Sequence, residues 1–165
     1  MNTGEVFLKE SIKNLKSLKK TCDDTFIQVS DDELHKIADN GLNTIAVLIQ
    51  HIAGNMISRW TEFLTTDGEK PDRNRDQEFI DNKRSREDLL QFWERGWKCM
   101  FDTLESLNEN ELGKIIKIRG EEHTVLKGLI RASSHYAFHT GQIVYLAKMI
   151  KSSGWKTLSV PKKTA

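Results

Sequence analysis

From Phe7 through Ser11, Ile12, Leu15, Leu18, Cys22 and Phe26, small and apolar side chains return every three or four positions, while lysines fill the opposite face. That period is the repeat of an amphipathic helix, and it predicts a first helix over residues 7–26. Ser30 followed by Glu33 forms a capping box before a short helical turn that Asn40 and Gly41 end. Asn43 then caps a second helix. Its apolar face runs through Leu48, Ile49, Ile52, Met56, Trp60 and Phe63, and the pattern stops at Thr65 before a turn at Asp67 and Gly68. After the polar connection GEKPDRNRDQEFIDNKR, Ser85 with Asp88 opens a third helix through Leu89, Trp93, Trp97, Met100 and Leu104, and Asn108 marks its end. KIIKI and EEHTV flank Arg119 and Gly120, a turn pair that predicts a small β-hairpin. A fourth helix follows from Val125 to Lys151.

Four long amphipathic helices in one chain predict an all-α fold, an up-down four-helix bundle with long connections and the small hairpin before the fourth helix. At 165 residues the chain fits one domain. We take residues 1–151 as the bundle and 152–165 as a tail that packs Trp155 and Leu158 on it and then frays. Lys and Arg total 25 against 24 acidic residues, so the net charge of +1 gives no reason to expect nucleic acid or a membrane as partner. The N-terminus lacks an apolar signal core, and the densest apolar stretch, residues 45–49, is too short to span a bilayer, so the expected location is the cytoplasm. Cys22 and Cys99 sit at core spacing and are expected to be buried free thiols.

The candidate chemistry lies in three histidines. His135 and His139 are four apart, which puts them about 40° from one another around a helix, on one face and a turn apart. Gly128, Ala132, Gln142 and Leu146 share that face and suit an inward surface, and His51 lies beside Leu48 and Ile52 near the core-facing stripe of the second helix. A single histidine of this kind is usually a hydrogen-bonded residue at the core edge. Three converging from two helices would hold a divalent metal ion and leave coordination positions open. Zinc or nickel suits such a set best, and iron or manganese also accepts imidazole. His35 and His123 fall in connecting segments without such partners. HYAFH has the histidine spacing of a zinc protease but Tyr136 in place of the general-base glutamate, and no glutamate stands three residues before any of the histidines, as a di-iron bundle requires. Asn55 and Arg59 follow His51 by one and two turns, and Gln142 returns to the face of His135. These either surround the ion and its substrate or make interhelical hydrogen bonds.

The segments QHIAGNMISRWTEFLTTDGEKPDRNRDQEF and SSHYAFHTGQIVYLAK, with resemblance over nearly the whole chain, are similar to the DinB-like superfamily of metal-binding four-helix bundles, in particular a branch of mostly Firmicutes members without assigned activity. The resemblance implies a metal site at His51, His135 and His139, and often a homodimer. The superfamily includes bacillithiol transferases and mycothiol-dependent enzymes, so it implies, as a class, a metal-dependent thiol S-transferase acting on a small molecule with bacillithiol as co-substrate. Three neutral imidazoles leave the ion its full charge, which would lower the pKa of a thiol. The same ion could activate water, making the protein a hydrolase of a small amide or ester, or the site could be non-catalytic and stabilise a protein that serves a partner. In the connection, Asp67, Glu69, Arg73, Arg75, Asp76 and Glu78 follow the branch pattern. They either close over one end of the site, with Arg73 and Arg75 meeting an anionic substrate, or form a solvated, salt-bridged loop.

Overall fold

The computed structural model describes residues 2–39 and 41–160. Helix α1 (Thr3–Phe26) starts earlier than its apolar repeat because Asn2 and Glu5 make a reciprocal capping box. Leu8, Leu15, Cys22 and Phe26 form its buried face. The short α2 (Asp31–Leu34) opens on the expected box of Ser30 and Glu33. It ends at Leu34, so Gly41 lies beyond it in a loop, at φ 84°, and the other predicted stop, Asn40, is outside the described residues. Thr44, not Asn43, caps α3 (Ile45–Trp60), its hydroxyl accepting from Val47 N. In α3, 14 of 16 residues are buried, which makes it the central helix rather than one with a solvated face. It ends at Trp60, five residues before the predicted stop. Phe63 still reaches the core, from a turn in which Glu62 takes φ 48°.

Helix α4 (Arg86–Ser106) is capped by Ser85 as expected. Asn108 does not close it but caps the 3-10 turn that follows. α4 crosses α3 so closely that a Cβ on Gly96 would stand 2.9 Å from Ala53 Cα. The hairpin forms as read: β1 (Ile115–Ile118) pairs antiparallel with β2 (Glu121–Thr124), with Ile118 opposite Glu121. Arg119 and Gly120 both have positive φ, as a two-residue type I′ turn requires. β2 runs straight into α5 (Val125–Lys151), capped by Thr124.

The fold is therefore mostly helical with one small antiparallel sheet. α3 packs on α4 and α5, and α1 packs on α5 and α4. Trp155 packs against the core, and Leu158 is half-buried. The predicted fraying at the chain end falls in 161–165, outside the described residues. No described helix is long and apolar enough to cross a membrane. Cys22 is buried and Cys99 half-buried, both free. Burial pushes the Cys22 thiol up to about 12, against a weak hydrogen bond from Sγ to Thr140, so it stays protonated and inert.

Candidate metal centre

His51 from the middle of α3 meets His135 and His139 from α5. Their facing atoms are all Nε2: His51 to His135 is 3.4 Å and His139 to His135 is 3.0 Å. One nitrogen from each ring lies within 4.8 Å of the other two. Two nitrogens bound at about 2.0–2.1 Å to one ion stand about 2.9–3.4 Å apart for angles of about 90–110°. The donor set fits a divalent ion.

The other ring nitrogens explain why the Nε2 atoms face inward. His51 Nδ1 lies 2.9 Å from Glu78 Oε2, and His139 Nδ1 lies 2.7 Å from Gln142 Oε1. Both partners only accept at those atoms, so both rings carry hydrogen on Nδ1 and a lone pair on Nε2. His135 can offer one Nε2 hydrogen, which serves only one of its two neighbours. The lone pair of the other neighbour is left without a donor, so mutual hydrogen bonds cannot satisfy all three rings, whereas a cation accepts a lone pair from each of them. Burial, followed by the nearby His139, His51 and arginines, pushes His135 down to about 3. Burial also lowers His139, although Gln142 works against it. These rings stay neutral near pH 7, as metal ligands must.

Glu78 lies in a 3-10 turn (Asp76–Phe79) laid across α3. Arg73 grips it bidentately, Nε to Oε1 and Nη2 to Oε2, both at 2.7 Å. Burial opposes the Glu78 carboxylate, yet the hydrogen bonds from His51 and Arg73 and the Arg73 charge hold its pKa below the ordinary carboxylate value. Arg73 Nη1 continues to Glu69 at 3.1 Å, and Glu69 accepts from Arg119 Nε at 3.2 Å. The turn can lie this close because residue 54 is glycine: a Cβ there would come within 2.9 Å of Glu78 Cδ. Phe79 packs on the His51 ring at 4.6 Å between centroids.

A cavity of about 230 Å³ opens on the three histidines, with Asn55, Arg59, Arg75 and Tyr136 in its wall. Tyr136, standing where a zinc protease has its glutamate, is a buried prop: it accepts from Trp60 Nε1 at 3.0 Å and donates to Asn55 Oδ1 at 3.1 Å. Burial pushes its phenol up to about 12 despite the bond from Trp60, so it remains a donor. Of the other residues read from the sequence, Gln142 holds His139 and Arg75 reaches the cavity over the Phe79 ring, whereas Arg73 is turned away into its two carboxylates. In the sequence Glu78 reads only as part of the connection, and nothing local marks Arg119 and Arg131, which are also on the cavity wall. An interior glycine one turn after His51 was the available sign that something approaches α3 there.

Of the two histidines set aside, His35 does have partners, Asp81 Oδ1 at 2.8 Å and Arg84 O at 3.0 Å, away from the cluster. His123 is not in a loop but on β2, buried, with neither ring nitrogen hydrogen-bonded among the described residues. Asp67 stitches the connection to the hairpin, its carboxylate accepting from the backbone N–H of Glu69, Arg119 and Gly120 at 2.7–2.8 Å.

These features define a mostly helical protein with a half-buried three-histidine cluster beneath a cationic rim. The chain belongs to the family described as a protein of unknown function, DUF1572, whose model matches residues 2–164. A crystal structure of a conserved protein from Enterococcus faecalis has a similar fold, with a TM-score of 0.66 over 86% of this chain and 95% of that one, at 15% identity. At that identity the likeness concerns the fold alone. No curated protein matches the chain.

Proposed function

We propose that this is a divalent-metal-dependent enzyme of the DinB-like kind that transfers a low-molecular-weight thiol, of the bacillithiol type, to an electrophilic carbon of a small molecule. The helix pairings support the up-down four-helix bundle of that superfamily. The observation that carries the metal reading is the convergence of three Nε2 atoms, two of whose rings, His51 and His139, are turned inward by Glu78 and Gln142. His51, His135 and His139 would hold the ion, with zinc or nickel the best match and iron or manganese also accepted by imidazole. Bound there, it would supply Lewis acidity that makes a thiol or water easier to deprotonate.

The chain's own residues favour the thiol over water. Among the described residues no carboxylate lines the cavity, and Glu78, which bonds His51, is fully engaged by His51 and Arg73. Hydrolysis of an amide or ester would have no side-chain base at hand. A thiol needs less help, because its ordinary pKa is already about 8.5. In the proposed transfer the S–H proton goes to solvent, sulfur forms a bond to the electrophilic carbon, and the leaving group departs with its electron pair. Asn55, held by Tyr136, and Ala132 shape the wall against which the electrophile rests.

Metal-loaded protein incubated with bacillithiol and a panel of electrophiles is expected to turn over only when thiol is present. No rate above a His139→Ala control across the panel would sink the transferase reading, and turnover without thiol would favour the hydrolase. We further propose cytoplasmic residence and a homodimer. Leu126, Ile130, Phe138, Tyr145 and Met149, exposed along α5 near helical spacing, support pairing through that face. Light scattering should then show a dimer that Phe138→Glu converts to a monomer.

A further inference from the structure

The cavity wall beside the histidines carries four arginines, Arg59, Arg75, Arg119 and Arg131, and, among the described residues, no acidic one. Only Arg119 has an ion-pair partner among the described residues, Glu69 at 3.2 Å through Nε. Arg59 is the most telling. It is 7% exposed, it pairs with no carboxylate, and its buried Nε has no hydrogen-bond partner. Burying a guanidinium without compensation is costly, and burial together with the neighbouring arginines lowers its pKa. The chain nevertheless builds a place for it. A Cβ on Gly68 would stand 2.8 Å from Arg59 Cδ and 3.0 Å from its Nε, so glycine there makes room for the stem of the side chain. Gly68 is in turn fixed by Ser58 Oγ donating to its carbonyl at 3.2 Å and by its own N–H donating to Lys117 O at 2.9 Å.

From this wall we infer that the molecule acted on carries an oxyanion group, carboxylate or phosphate, bound by the buried Arg59 together with the exposed Arg131, Arg75 and Arg119. Planar guanidinium groups match both oxyanions with paired hydrogen bonds. At about 230 Å³ the cavity is smaller than the roughly 300–1,000 Å³ of pockets for drug-sized ligands. The anion and the reacting atom must therefore be close together, which selects a small acid or phosphorylated fragment over a peptide or long acyl chain. Placing the reacting atom at the histidines rests on the metal reading above. The anion subsite itself does not.

The test is isothermal titration with inorganic phosphate, with succinate and with its neutral diamide, succinamide, at constant ionic strength. It is run on metal-free wild type, zinc-loaded wild type, His135→Ala, Arg59→Met and Arg131→Gln. Phosphate or succinate is expected to bind the wild type with or without zinc, and also His135→Ala, while succinamide does not bind. Whichever of the two binds names the oxyanion. Binding should weaken about tenfold or more in each arginine variant. Arg131 is exposed, so its variant stays informative if Arg59→Met folds poorly. Binding that needs zinc and survives both arginine substitutions would place the anion on the metal and overturn the subsite. So would the absence of phosphate and succinate binding in every form, or succinamide binding as tightly as succinate. Anion binding by a protein that elemental analysis finds unable to take up zinc, nickel, iron or manganese would end the metal reading and leave the subsite standing.

Discussion

Helix α5 and the connection after α3 both serve the histidine cluster, by opposite physical means. On α5, His135, His139 and Gln142 occupy a single stretch of helix, and the backbone ladder fixes their relation before any tertiary contact forms. On the α3 side, His51 depends on Glu78, 27 residues away, which depends in turn on Arg73 and on the bare backbone of Gly54. The same task, holding hydrogen on Nδ1 so that Nε2 faces inward, is local in one half and assembled in the other. The assembled half is the one most open to disruption.

Removing His135, which touches both other rings, should break the two halves apart. His135→Ala is expected to abolish stoichiometric metal uptake, read by elemental analysis on protein purified without an affinity tag, where wild type should carry about one ion per chain. Next in size is Glu78→Gln, which should weaken metal affinity about 10- to 100-fold by competition titration against a chelator. Gln142→Ala should cost less, because a neutral amide is a weaker orienting partner than a carboxylate. Equal losses in the two variants would erase the distinction between the halves.

Acid probes the α5 side. An unfolded histidine takes up its proton near 6.5 and His135 only at about 3, so between those values the unfolded chain binds more protons and stability falls as pH falls. The depressed Glu78 pKa adds a loss in the same direction at lower pH, below its ordinary 4.5. Metal-free protein should therefore show a declining melting temperature from pH 7 to 5, and His135→Ala should flatten that slope. The smallest effects come from two glycines. Gly54→Ala presses on Glu78 and should weaken metal binding, though by less than Glu78→Gln. Gly141→Ala, on α5 with nothing within 4 Å of the added carbon, should raise stability by about 1 kcal/mol in thermal melts and leave metal affinity unchanged.

What the sequence made legible follows the same division. The α5 boundaries, the I′ hairpin and the histidine trio are written in local spacing, and the structure brings these three rings together. The end of α3 is hidden in the sequence because Phe63 continues the apolar period from a turn, where a buried aromatic and a helical one look alike. The role of Glu78 was out of reach because a carboxylate in an acidic and basic loop is usually solvated. Only the path of the chain over Gly54 shows that this one is not. Arg119 and Arg131 look like ordinary surface arginines until the fold turns them toward one cavity.

The Asp67 carboxylate, with three backbone amides from both the connection and the hairpin turn, has a consequence for motion. One acceptor ties the connection to the hairpin turn, so losing its three bonds would release both segments together. The amide hydrogens of Glu69, Arg119 and Gly120 are therefore expected to share one degree of protection against deuterium exchange, which Asp67→Asn lowers for all three.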